Sequence, residues 1–146
     1  MPILTTPSDI RALLSRTRRI AVLGIKTEAA ADQAAYYVPA ACLALGYDVV
    51  PVPVYYPEAT HILDRPLFRR LVDVTESVGP IDMVNVFRRP KDLASHYDDI
   101  VAAHPKSVWL QQGIVDDVFC GRLSALGMDV VQDMCLMVEA RRYAAG

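Results

Sequence analysis

Cysteine is scarce in this chain and widely scattered. Cys42, Cys120 and Cys135 are the only three, and none is in CxxC spacing. That offers neither a disulfide framework nor a zinc-binding pattern, and points to a reducing, cytoplasmic setting. A basic excess is missing too. Fifteen Lys and Arg face 17 Asp and Glu for a net charge of −2, which argues against general nucleic-acid or anionic-membrane binding, since both need a basic field. Local basic clusters remain at Arg16–Arg19, Arg69–Arg70, Arg88–Arg89 and Arg141–Arg142. No apolar run approaches the roughly 18 residues of a membrane helix. Met1–Thr6 has no basic segment leading into an apolar core, so no signal peptide is expected. Glycine is sparse at seven residues, and neither GxGxxG nor GxxxxGK[ST] occurs.

What the chain does have is a strong apolar pattern: 53% apolar and 22% charged over 146 residues, the size and composition of one globular domain. Ile20-Ala21-Val22-Leu23 is a continuous apolar run ended by Gly24, which reads as a strand buried on both faces and closed by a sharp turn. Before it, Thr6-Pro7-Ser8-Asp9 opens a short helix whose apolar face is Ile10, Leu13 and Leu14. After it, Ala29–Leu45 is alanine-rich and predicts a long helix, kinked or just beginning at Pro39 and closed by Gly46.

Tyr47–Val54 predicts a second strand that leaves the sheet by Pro53. Leu63–Phe68 reads as a short extended piece, and Phe68–Ser77 as a short helix ended by Gly79-Pro80. Ile81–Phe87 is a third strand, and Pro90 is placed to begin a helix reaching about Ala103. Lys106–Leu110 is a fourth strand, Val115–Leu126 a helix, and Met128–Val131 a fifth strand. Leu136–Tyr143 is a short terminal helix or an extended arm. The alternation predicts an α/β fold, doubly wound, with a mostly parallel five-stranded sheet and helices on both faces.

In such a sheet the segments after the strands converge on one edge, where ligands bind. Here they are Gly24-Ile25-Lys26-Thr27, Val54-Tyr55-Tyr56-Pro57, Phe87-Arg88-Arg89-Pro90, Gln111-Gln112-Gly113-Ile114 and Asp133-Met134-Cys135. Cations and amides suit phosphates, and aromatic surface suits a base, so the edge matches a phosphate-bearing nucleotide. Lys26 either faces a phosphate or is simply solvated. Arg88 and Arg89 either line the site or pair with Asp82 or Asp92. Tyr55 and Tyr56 cover a base or cover the sheet edge; Tyr36 and Tyr37 have the same two readings, with packing favoured. Of Gln111 and Gln112, one bonds the ligand or one ties two loops together. His61, His96 and His104 are expected to be solvent-exposed, Cys135 is read as an idle thiol, and no metal-ligand cluster stands out.

Taken in order, Ile20–Gly24, Leu45–Val52, Ile81–Pro90, Val108–Gly113 and Val130–Cys135 resemble the small single-domain CoA-binding protein family. Its fold is shared with the CoA-binding domain of the succinyl-CoA synthetase α subunit. Phe87-Arg88-Arg89-Pro90 and Trp109-Leu110-Gln111-Gln112-Gly113 are the most specific pieces. The resemblance implies a Rossmann-like fold with coenzyme A, free or acylated, at the carboxyl edge. It puts Gly24, Ile25, Lys26 and Thr27 near the phosphates, and Val54, Tyr55 and Tyr56 beside the adenosine or its 3′-phosphate. It makes Phe87, Arg88, Arg89 and Pro90 line the nucleotide site, and places Gln112 and Gly113 on the pantetheine side. The chain has Gly24-Ile25-Lys26 where members usually carry Gly-Ala-Ser, and Val54-Tyr55-Tyr56-Pro57 where they usually carry Asn-Pro. The synthetase's phosphorylated histidine belongs to another domain, so the resemblance implies no ligase activity.

The expected function is therefore CoA binding without catalysis, by a chain whose partner is a small-molecule nucleotide and whose composition is compatible with a homodimer. The alternatives are a small enzyme or redox module using NAD(P) or another adenine nucleotide, which the missing glycines disfavour, and a purely structural partner protein.

Overall fold

The structure, a computed structural model, describes residues 3–144. In chain order it runs α1 (Pro7–Ser15), β1 (Arg19–Leu23), a 3-10 turn (Glu28–Ala30), α2 (Ala34–Ala44) and β2 (Asp48–Val52). Next come β3 (His61–Ile62), β4 (Arg65–Pro66), α3 (Leu71–Ser77), β5 (Met83–Val86) and a 3-10 segment (Pro90–His96). The chain closes with α4 (Tyr97–Ala103), β6 (Ser107–Leu110), α5 (Asp117–Ala125), β7 (Asp129–Val131) and α6 (Leu136–Ala144). The main sheet has the order β2-β1-β5-β6-β7, and every pairing in it is parallel. The fold is the Rossmann-like α/β arrangement that the alternating pattern predicts.

Alternation along each strand sorts the core into two layers. Ala21, Val50, Val84 and Val108 point to the side covered by Leu71 and Val74 of α3, Ile100 of α4 and Leu123 of α5. Ile20, Val22, Met83 and Trp109 point to the side covered by Leu13 of α1, Val38 of α2 and Leu136 of α6. Trp109 is fully buried, and its indole N–H donates to the Met134 carbonyl at 2.9 Å, fastening the start of α6 to the sheet.

Both sheet edges are covered. Leu4 N–H donates to Val130 O at 2.8 Å along β7, and Phe68 N–H donates to Pro51 O at 2.9 Å along β2. The extended piece expected over Leu63–Phe68 is a small antiparallel hairpin, β3–β4, whose turn holds Leu63 and Asp64 at φ 56° and 59°.

Two helices differ from expectation. The long helix expected over Ala29–Leu45 begins only at Ala34, after a separate 3-10 turn whose Glu28 carboxylate accepts the Leu63 N–H at 2.8 Å. Pro39 then lies inside α2 rather than in its first turn. It cannot donate to Ala35 O, four residues earlier, and that carbonyl accepts instead from the Lys26 N–H at 3.1 Å. The helix expected from Pro90 to Ala103 is 3-10 as far as His96 and α-helical only from Tyr97.

At the amino end of the sheet, Asp82 accepts the backbone N–H groups of Arg18 and Arg19, both at 2.9 Å, and faces Lys106 Nζ at 3.4 Å. Burial opposes its charge, but these donors prevail and hold the carboxyl below its usual range. A depressed carboxylate contributes stability above its unfolded pKa of about 3.9, lost as pH falls through the lower folded value. Asp82→Asn is expected to cost about 1–2 kcal/mol at pH 7. Urea melts of the two proteins should differ by a constant amount at neutral pH and converge below about pH 4.

Candidate functional site

The sheet order creates a switch point. From β1 the chain moves outward to β2, then returns to the other side of β1 as β5. Open α/β sheets bind ligands in the crevice at the carboxyl ends of the strands there. The ladders run one residue past the strands: Gly24 N–H donates to Val52 O at 2.9 Å, and Phe87 N–H donates to Leu23 O at 2.9 Å. Gly24 is required at this point on two counts. Its φ is +87°, and a Cβ on it would lie 2.4 Å from the Phe87 carbonyl oxygen.

Over this contact lies a cleft of about 220 Å³ lined by Gly24, Ile25, Lys26, Val54, Tyr55, Phe87, Arg88 and Arg89. Val54 and Tyr55 are shared with a more open cleft of about 470 Å³ that adds Tyr56, Pro57 and Arg69. The loops after β1, β2 and β5 thus meet, bringing together most of the residues expected there. Thr27 is half-buried at the start of the 3-10 turn and Pro90 is exposed; neither lines a cleft. Gln112 and Gly113 are exposed farther along the same rim, after β6, and also lie outside the clefts.

Each side chain has a definite setting. Ile25 is 1% exposed and anchors its loop in the core. Lys26 is half-buried, with its ammonium on the Gln33 side-chain oxygen beside the start of α2. Arg89 is exposed and bonds Asp92 through Nε at 3.0 Å. Arg88 is largely buried; its Nε donates to His96 Nε2 at 3.0 Å, and NH2 stands 3.8 Å from Asp92. Its guanidinium also lies 5.9 Å from the centre of the Tyr55 ring. Hydrogen bonding from Arg89 lowers the Asp92 carboxyl pKa, so this acid is charged at neutral pH. Asp92 therefore pairs with both arginines while they line the cleft. Asp82, the other partner considered, sits at the far end of β5.

Residues with no clear signal in the sequence brace this site. Arg69 donates to the carbonyls of Tyr55, Tyr56 and Ala59 at 3.0, 2.8 and 3.1 Å, holding the tyrosine loop in place. Its only sequence signal is membership of the Arg69–Arg70 pair. His96 is half-buried, contrary to the expectation of exposure, because the 3-10 segment turns it inward against Arg88; His61 and His104 are exposed. Burial and then the Arg88 charge push its pKa below the usual value, leaving a neutral imidazole able to accept.

Gln111 is the amide that ties loops together. It is buried, and its Oε1 accepts from Asn85 Nδ2 at 3.4 Å and from the Leu136 N–H at 3.3 Å. Gly113 N–H donates to Asp133 Oδ1 at 2.8 Å, joining the last two rim loops. Tyr36 packs on the core and Tyr37 is exposed; neither lines the clefts.

Burial raises the Cys42 and Cys120 thiols to about 12, so neither presents a thiolate at neutral pH. Among the described residues no group of three or more His, Cys, Asp or Glu could hold a metal ion, and no helix is long and apolar enough to cross a membrane. A hollow of about 300 Å³ lies at the opposite end of the sheet, lined in part by Arg18 and by Asp48, whose carboxylate is paired with Arg19 and Arg65.

Known proteins share this architecture and sequence. The Bacillus subtilis (strain 168) protein YneT, itself uncharacterized, is 30% identical over 131 residues, covering 90% of this chain and 91% of its own. A Thermus thermophilus structure superposes with a TM-score of 0.83 at 35% identity, covering 95% of this chain and 99% of that one. A hypothetical protein from Pyrococcus horikoshii OT3 gives a TM-score of 0.81 at 26% identity, over 98% and 96% of the two chains. The family model described as CoA binding domain matches residues 18–141, from the start of β1 to within α6, and so takes in every loop of the rim. With that match over most of its length, the chain belongs to the CoA-binding domain family.

Proposed function

We propose that this protein binds coenzyme A or an acyl-CoA across the rim at the β1–β5 switch point and catalyses no reaction of its own. The observation that carries this reading is the convergence of Lys26, Arg88, Arg89 and Tyr55 on one cleft floored by Gly24. The residues fit the ligand. Gly24 lets the β1 and β5 ends close into a floor, three cations answer phosphate charge, and Tyr55 and Tyr56 offer aromatic surface for a base. Gln112 and Gly113, farther along the same rim, would meet the pantetheine arm, as the resemblance implies.

Isothermal titration with CoA should give saturable binding with a micromolar dissociation constant. NADH, titrated in parallel, should bind more weakly by at least tenfold. No saturation at millimolar CoA, or tighter binding of NADH, overturns the proposal.

A further inference from the structure

The three cleft cations are held differently. Lys26 reaches Gln33, and Arg89 is exposed on Asp92. Arg88 is fixed through its Nε edge by an uncharged acceptor, His96, whereas the Nε edge of Arg89 is taken by the Asp92 carboxylate. Its terminal nitrogens make no hydrogen bond to the described residues; Asp92 is 3.8 Å away, beyond hydrogen-bond reach. A largely buried guanidinium with unused donors lining a cleft is arranged for an anion that brings paired oxygens. An imidazole that accepts at Nε2 carries its proton on Nδ1, which fixes its tautomer.

We propose that His96 is the positioning residue of this site: its Nε2 locks the Nε edge of Arg88 and aims the terminal nitrogens at a phosphate of the bound nucleotide. The proposal rests on the CoA reading above. It adds a role for a residue outside the rim loops, eight positions along the chain from the arginine it serves. Ordering one long side chain before binding is worth about 2- to 12-fold in affinity.

The test compares CoA titrations of the unaltered protein, His96→Ala, His96→Asn, His96→Gln, Arg88→Ala and the double variant Arg88→Ala/His96→Ala. The Arg88 Nε–H resonance is followed in each protein that retains Arg88. A glutamine Oε1 can occupy the place of His Nε2; an asparagine amide is too short. His96→Ala and His96→Asn should bind CoA about 5- to 10-fold more weakly and lose the protected Nε–H signal. His96→Gln should stay within about twofold and keep it. In the Arg88→Ala background the further loss of His96 should change affinity by less than about twofold, because the group it positions is gone.

If the unaltered protein binds no CoA, the ligand reading falls and the positioning role falls with it, whatever the resonance shows. If it binds, but His96→Ala keeps its affinity, or costs as much without Arg88 as with it, the positioning role alone is overturned. That role is equally overturned if His96→Gln keeps the Nε–H signal without restoring affinity.

Discussion

Gly24→Ala is expected to lose CoA binding and about 3–4 kcal/mol of stability together. Two costs combine. A side chain at φ +87° is strained by about 1–2 kcal/mol. The added Cβ also meets the Phe87 carbonyl oxygen at 2.4 Å, and that oxygen is backbone, so no rotamer change relieves it. The β1 and β5 ends must part, opening the floor between Lys26 and Arg88. Gly127→Ala is the control: its φ is +95°, but nothing lies within 4 Å of the new Cβ, so only the backbone cost of about 1–2 kcal/mol applies. Thermal melts should show Gly24→Ala lowered by about 10 °C and Gly127→Ala by about half that or less. Equal shifts would show that the Phe87 contact is relaxed at little cost.

The second large effect is on binding alone. Arg88→Ala should weaken CoA about 30- to 100-fold, roughly 2–3 kcal/mol, by removing a guanidinium already held in the cleft. Arg89→Ala should cost no more than about threefold, because that side chain is 68% exposed and its charge is screened by water. Neither change removes a core contact, so melting temperatures should hardly move. Calorimetric titration distinguishes the two arginines; equal losses would mean that the ligand reads net charge rather than geometry.

The fold was legible because alternation and period agree. Ile20–Leu23, Val49–Val52 and Val108–Leu110 are short apolar runs bounded by glycine or polar turns, and each became a parallel strand. Boundaries slipped where a distant group decided them. Nothing in Phe68–Ser77 shows that the N–H groups of Leu71 and Val72 meet Asp99 at 2.7 and 3.2 Å, which starts α3 later than expected. The rim was legible because strand ends in a parallel sheet all face one way. Its braces were not. Arg69 works through backbone carbonyls 10 to 14 residues earlier in the chain, and His96 through a 3-10 segment whose geometry no α-helical period describes. Such partnerships arise from tertiary approach rather than from local pattern.

The bond between Lys26 N–H and Ala35 O links two positions by a rule that no side-chain chemistry expresses. Any amino acid but one supplies the donor at position 26, so substitution there leaves the link intact however freely the residue varies. Proline is the exception. While Pro39 leaves its helix carbonyl open, a second proline at 26 would strand it, and a non-proline residue at 39 would bring a rival donor. The pair is thus coupled as an exclusion rather than a preference. Its trace in a set of related sequences would be a missing combination rather than a conserved letter.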